Sequence, residues 1–182
     1  MPRRKASDNL NARFSVSRQP FSVGQATVVF DPADIIKCLA SEIKRAAYCQ
    51  ANLAWCTNPK LLKYLLHCRG CAVIINHDLK LIRKHRAEYE ALPPMDGTRM
   101  AVRTVKGKGR SLMHHKFCVF LDAKKRPISV VTGSFNWTQQ STKNCEHIVV
   151  LRSPALAARF LEEFKAVRSI SKAIRKRKKK KK

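Results

Sequence analysis

Cys71-Ala-Val-Ile-Ile75 is five apolar residues in a row, three of them β-branched. A strand with one wet face alternates apolar and polar residues, so an unbroken apolar run of this length calls for cover on both faces. The sequence before it supplies helices for that purpose. Ile35, Leu39 and Ile43 recur at helical spacing after Asp31-Pro32. Leu61, Leu62, Leu65 and Leu66 do the same after Asn58-Pro59, with proline in the first turn. Gly70 ends that second helix just before the apolar run. Residues 26–30 and 51–55 read as strands, 79–92 as one charged helix stopped by Pro93-Pro94, and 100–105 as a further strand. Residues 113–121 and 128–132 form a hairpin across 123–127, and 146–151 is the last strand. Ser153-Pro154 caps a final helix that turns Leu156, Phe160, Phe164 and Val167 inward and frays into the terminal lysines. The order βαβαβαβββα is that of an α/β sandwich with a mixed central sheet and helices on both faces.

Charge narrows the partners. Thirty-eight Lys and Arg stand against 12 Asp and Glu, a net charge of +26 in 182 residues. Residues 175–182 are all basic, and the body is strongly basic without them. Such a field attracts polyanions, nucleic acid first and an anionic membrane surface second. Solubility alone needs no single sign of charge. The length fits one domain, expected over 25–170, between a flexible basic arm (1–24) and a polybasic tail (171–182). Seven scattered cysteines, an odd number, read as free and mostly buried thiols of a reducing compartment. The first 19 residues are polar and basic, and no apolar run reaches membrane-spanning length. The expectation is an intracellular protein, cytoplasmic or nuclear, without a transmembrane segment. Cys68 and Cys71, with Cys56, His67 and His77 nearby, have metal-ligand chemistry. Their place at a helix–glycine–strand junction reads instead as core thiols, so no metal and no cofactor are expected.

The chemistry concentrates in Met-His-His-Lys-Phe (113–117) and Thr-Gly-Ser-Phe-Asn-Trp (132–137). Imidazole is a nucleophile that is neutral at working pH. An ammonium group with hydroxyl and amide donors can stabilise the charge on phosphate oxygens. On a strand, His114 and Lys116 project to one side and His115 to the other. Gly133 permits a close approach, and Ser134 and Asn136 follow it. Lys106, Lys108 and Arg110 occupy a glycine-bearing loop ahead of His114 and are candidates for phosphate-backbone contacts. Trp137 is a candidate for stacking on a base or a lipid glycerol, with core packing as its alternative; Trp55 reads as core.

His-x-Lys, then Gly-Ser-x-Asn, then Asn-Cys-Glu (144–146) resembles the signature of the phospholipase D superfamily, the HKD phosphodiesterases. The likeness is greatest to its single-motif endonuclease branch, which includes the bacterial non-specific endonucleases and the Zucchini-type proteins. The resemblance implies His114 as nucleophile, Lys116 and Asn136 on the phosphate, Ser134 in support and Glu146 orienting His114. It implies a metal-independent phosphodiesterase that cuts nucleic acid, single-stranded DNA or RNA, through a phosphohistidine. One signature supplies one histidine where the two-step path wants two, which implies a homodimer. The signature departs from its family between Lys116 and Asp122. Five residues intervene where the family has four, so a regular strand would turn Asp122 to the wrong face. Either a bulge corrects the register, or Leu121 takes the Asp position and Asp122 begins the turn. Two other functions stay open: a phospholipase acting on an anionic lipid such as cardiolipin, in peripheral contact with the membrane, and a nucleic-acid-binding protein whose site has decayed.

Overall fold

Among the described residues, nine strands form one mixed sheet in the order β1-β2-β8-β7-β6-β3-β4-β5-β9. The computed structural model describes residues 21–95, 98, 100–107 and 111–174. The parallel part of the sheet is β3 (Tyr48–Leu53), β4 (Gly70–Asn76) and β5 (Val102–Val105). All seven residues of β4 are buried, as its apolar run requires. β6 (Lys116–Leu121), β7 (Pro127–Gly133) and β8 (Ile148–Leu151) continue the sheet antiparallel, followed by β2 (Ala26–Val29) and β1 (Phe21–Val23).

Side-chain alternation along β6 divides the core in two. Cys118 and Phe120 join Ile35 and Leu39 of α1 (Pro32–Arg45) and Leu61 and Leu65 of α2 (Pro59–Leu65) on one face. Phe117, Val119 and Leu121 meet Phe164 and Val167 of α5 (Pro154–Ile170) on the other. Each of these helices opens on a side-chain cap followed by proline. Asp31 accepts from the backbone of Ala33 and Asp34, Asn58 from Lys60 and Leu61, and Ser153 from Leu156. The arrangement is an α/β sandwich with helices on both faces of a mixed sheet.

Four details differ from expectation, and a fifth decides an alternative left open. β1 lies inside the stretch read as a flexible arm; residues 1–20 fall outside the described chain. The helix expected over 79–92 is two, α3 (Leu79–Lys84) and α4 (Arg86–Ala91), because His85 leaves helical geometry at φ −104° and ψ 23°. α5 does not fray into the tail. It stops at Ser171, and β9 (Lys172–Ala173) pairs antiparallel with β5. Arg103 fixes this return, donating to the Ser171 hydroxyl and carbonyl at 2.7 Å each. Ile174 then packs into the core, so the domain runs past 170; residues 175–182 lie outside the described chain. β6 begins at Lys116 rather than Met113, leaving His114 just ahead of the strand. Finally, the pairing of β6 with β7 shifts register at Phe120/Leu121, Leu121 is buried, and Asp122 begins the turn. Its carboxylate accepts from the backbone of Lys124 and Arg126 at 2.9 Å and pairs with the Arg126 guanidinium at 2.7 Å. Asp122 is therefore a hairpin staple.

All seven cysteines are free, and Cys49, Cys56, Cys68, Cys71 and Cys118 lie in the core. Burial pushes the Cys71 thiol up to about 12, and Cys56 higher still. No described helix is long and apolar enough to cross a membrane.

Candidate active site

The site forms where β6 starts beside the end of β3. Lys116 pairs with Leu53, the last residue of β3. The ladder continues one step past the strand, with Ala54 N donating to His115 O at 2.8 Å. His114 and His115 thus keep strand-like alternation without belonging to the strand. Lys116 Nζ donates to the His114 ring at 3.2 Å and to its carbonyl at 3.1 Å. The Trp55 ring meets the His114 ring edge to face, 5.8 Å between centroids at 82°. His115 turns the other way, against Phe117 at 5.5 Å and 3.8 Å from the Glu163 carboxylate on α5.

Buried Asn76, the last residue of β4, anchors the approach to the motif. It donates to Ala54 O at 3.2 Å and accepts from Met113 N at 3.0 Å, which fixes the residue before His114. An amide buried at the end of an apolar strand is a sequence signal for such a tie.

Gly133 ends β7 at φ 154°, a backbone conformation that L side chains rarely adopt. Its freedom lets Ser134 pair with the segment before β8. Ser134 N donates to His147 O at 3.1 Å, His147 N donates to Ser134 Oγ at 3.1 Å, and Ser134 Oγ donates to Glu146. Asn144 donates to the other Glu146 oxygen at 3.4 Å. Within the described chain Glu146 therefore bonds Ser134 and Asn144, and no hydrogen bond joins it to His114. Glu146 still acts on the site through its charge. Burial lowers the Lys116 pKa below that of a free lysine, and the Glu146 carboxylate opposes that shift. Asn136 Oδ1 is buried without a hydrogen-bond partner among the described residues. A buried amide oxygen of this kind calls for a bound water.

Trp137 takes its core-packing alternative, and Trp55 departs from its expected place. Trp137 is 2% exposed and belongs to the core, its backbone stapled to the segment after β3. Trp137 N donates to Trp55 O at 3.1 Å, and Thr57 N and Asn58 N donate to Trp137 O at 2.7 and 2.8 Å. Its faces are covered, so it offers no stacking platform. Trp55, read as core, is half-buried and lies against His114. Of the basic loop, Lys106 follows β5 directly and borders a separate groove; Lys108 and Arg110 lie outside the described residues.

His114, Lys116, Ser134, Asn136 and Glu146 thus gather at the β6, β7 and β8 ends. The family model described as cardiolipin synthase, PLD-like domain, matches residues 36–168. The chain belongs to the phospholipase D superfamily. As a phospholipase D-like fold it is similar to Nuc, a phospholipase D family member from Salmonella typhimurium. The TM-score is 0.66 at 21% identity, over 87% of this chain and 100% of Nuc. One such module therefore makes up the whole of that smaller relative. In sequence, the phospholipase D-like chain is 26% identical over 172 residues to an uncharacterised protein of Acanthamoeba polyphaga mimivirus, covering 72% of this chain. It is 43% identical over 53 residues, 29% of its length, to a mitochondrial cardiolipin hydrolase of Chlamydomonas reinhardtii. The chain spans 61% and 22% of the lengths of these two curated relatives.

Proposed function

We propose that this chain is a phosphodiesterase that cuts nucleic acid, single strands in preference, through a phosphohistidine formed in a homodimer. The observation that carries the reading is the exposed His114 imidazole held 3.2 Å from Lys116 Nζ in a chain of net charge +26. An imidazole nitrogen of His114 attacks phosphorus while Lys116 and the Asn136 amide take the charge of the non-bridging oxygens. The P–O bond to the leaving group breaks as the partner copy's histidine protonates that oxygen. The same partner histidine then takes a proton from water, whose oxygen attacks phosphorus and frees His114. These groups supply nucleophile, acid and charge stabilisation from side chains, so the reaction requires no metal ion. Ser134 and Glu146 hold the β7–β8 end in place and tune Lys116.

Hydrolysis of an anionic phospholipid is the second reading. It draws on the cardiolipin-linked family description and the Chlamydomonas relative. The full chain, assayed in EDTA, separates the two: a labelled single-stranded oligonucleotide is cut and cardiolipin vesicles are not. Turnover of vesicles alone would move the chain to the lipid reading. Binding of the oligonucleotide without turnover of either substrate would mark a decayed site.

Lys116 must be charged to serve, and its lowered pKa brings the alkaline fall of kcat/KM below that of an ordinary lysine. Glu146→Gln removes the carboxylate that favours the charged form, so the alkaline limb moves to still lower pH. A pH–rate profile in which the variant's limb stays put or rises would contradict the coupling. Deleting 175–182 should weaken oligonucleotide binding and flatten its salt dependence, by about 0.7 in log–log slope for each phosphate that the tail neutralises. An unchanged slope would remove the tail from the interface.

A further inference from the structure

A second concavity opens at the far side of the sheet, between α3, β5 and β9. It encloses about 800 Å³, within the range of ligand pockets. Its floor is apolar: Leu79, Ile82, Ile170 and Ile174. Leu79 and Ile170 are 54% and 69% exposed, two of the largest apolar exposures among the described residues. Exposed aliphatic surface gathered in a concavity marks a binding surface more often than scattered single residues do. The rim is cationic, with Arg83, Lys106 and Lys172, and with Arg86, which also pairs with Glu90 at 2.9 Å. No described carboxylate lines the cavity. His77 and Thr104, hydrogen-bonded at 3.1 Å, add a polar edge.

The groove lies at the same end of the sheet as His114. His77 follows Asn76, which also holds Met113, and Lys106 follows the last residue of β5. β5 lies three strand spacings from β6 in the sheet order, a lateral offset of about 14 Å. We propose that this groove is a second contact for the substrate strand, seating an unstacked nucleobase on its apolar floor and the flanking phosphates on its basic rim. Charge selects the occupant. The chain's own basic run, 175–182, carries the same sign as the rim and is repelled by it. A polyphosphate strand carries the opposite sign, and its bases supply flat apolar faces. The inference rests on the nucleic-acid reading above.

The test compares wild type with Ile170→Ser, which removes exposed floor, and with the double variant Arg83→Ala/Lys172→Ala, which removes rim charge. Fluorescence anisotropy on a single-stranded 20-mer reads binding. The ratio of kcat/KM for the 20-mer over that for bis(4-nitrophenyl) phosphate reads the second contact apart from the chemistry. Both variants are expected to weaken 20-mer binding about tenfold and to lower that ratio equally. A 20-mer carrying abasic sites should bind wild type and Ile170→Ser alike, since no base is left to seat. Unchanged 20-mer affinity in both variants overturns the proposal. So does an Ile170→Ser loss that persists on the abasic strand, or one seen for cardiolipin vesicles and not for the 20-mer. Failure of wild type to bind any oligonucleotide sinks the nucleic-acid reading itself, a result distinct from a variant that matches wild type.

Discussion

His114→Ala lowers kcat on a single-stranded oligonucleotide by about 10⁴-fold or more, the scale expected when a covalent nucleophile is removed. On the proposed reading Lys116 and Asn136 remain to hold phosphate, so affinity for the strand is expected to change little while turnover vanishes. Rapid quenching of wild type at alkaline pH with phosphorus-labelled substrate traps label on the protein; the variant traps none. Mixing wild-type and variant chains tests the dimer. If one active centre needs both histidines, mixed dimers are dead, and an equimolar mixture keeps about a quarter of the activity. If each chain works alone, half survives. A variant that retains wild-type kcat would end the phosphohistidine mechanism, and survival of half the activity would end the shared centre.

Gly133→Ala is expected to be a severely damaging single-carbon change at the site. The added Cβ falls 2.3 Å from His147 O and 2.9 Å from Ile148 Cα, and φ stands at 154°. Both obstacles are backbone of the paired strand, so no side chain can swing aside. Strain and overlap together cost about 3 kcal/mol or more. For a domain of this length that lowers the melting temperature by roughly 6–12 °C. Ser134 and Glu146 hang from the displaced segment, so activity falls further than stability alone explains. Gly24→Ala is the comparison: its φ of 55° also disfavours alanine, yet nothing lies within 4 Å of the new carbon. It costs about 1 kcal/mol. Equal melting points for the two variants would show that the β7–β8 contact yields easily.

The two outcomes bear on what a sequence can disclose. The five-residue apolar run declared a doubly covered strand because no other surroundings suit five consecutive apolar side chains, and β4 is buried throughout. Asn58-Pro59 and Ser153-Pro154 disclosed two helix starts because proline in a first turn and capping are local chemistry. His114 and Lys116 were legible as a pair since two-residue spacing persists even though the strand starts only at Lys116. The tryptophans were not legible. Which of Trp55 and Trp137 meets His114 depends on three backbone hydrogen bonds between distant segments, and periodicity carries no trace of them. Asp122 was ambiguous for a related reason: a register shift at Phe120/Leu121 is set by the partner strand as much as by its own residues. β1 and β9, of three and two residues, are too short for any pattern to emerge.

β9 has a consequence for how the molecule is made. The parallel strands β3, β4 and β5 are complete by residue 105, but the outer edge of β5 stays unpaired until residues 172 and 173 are available. Ile174 also contributes to the first core cluster. A nascent chain therefore exposes an open strand edge throughout the synthesis of residues 106–171, the condition under which strands pair with the wrong neighbour. The segment that closes this edge leaves the ribosome directly ahead of the basic run and long after the strand that it joins.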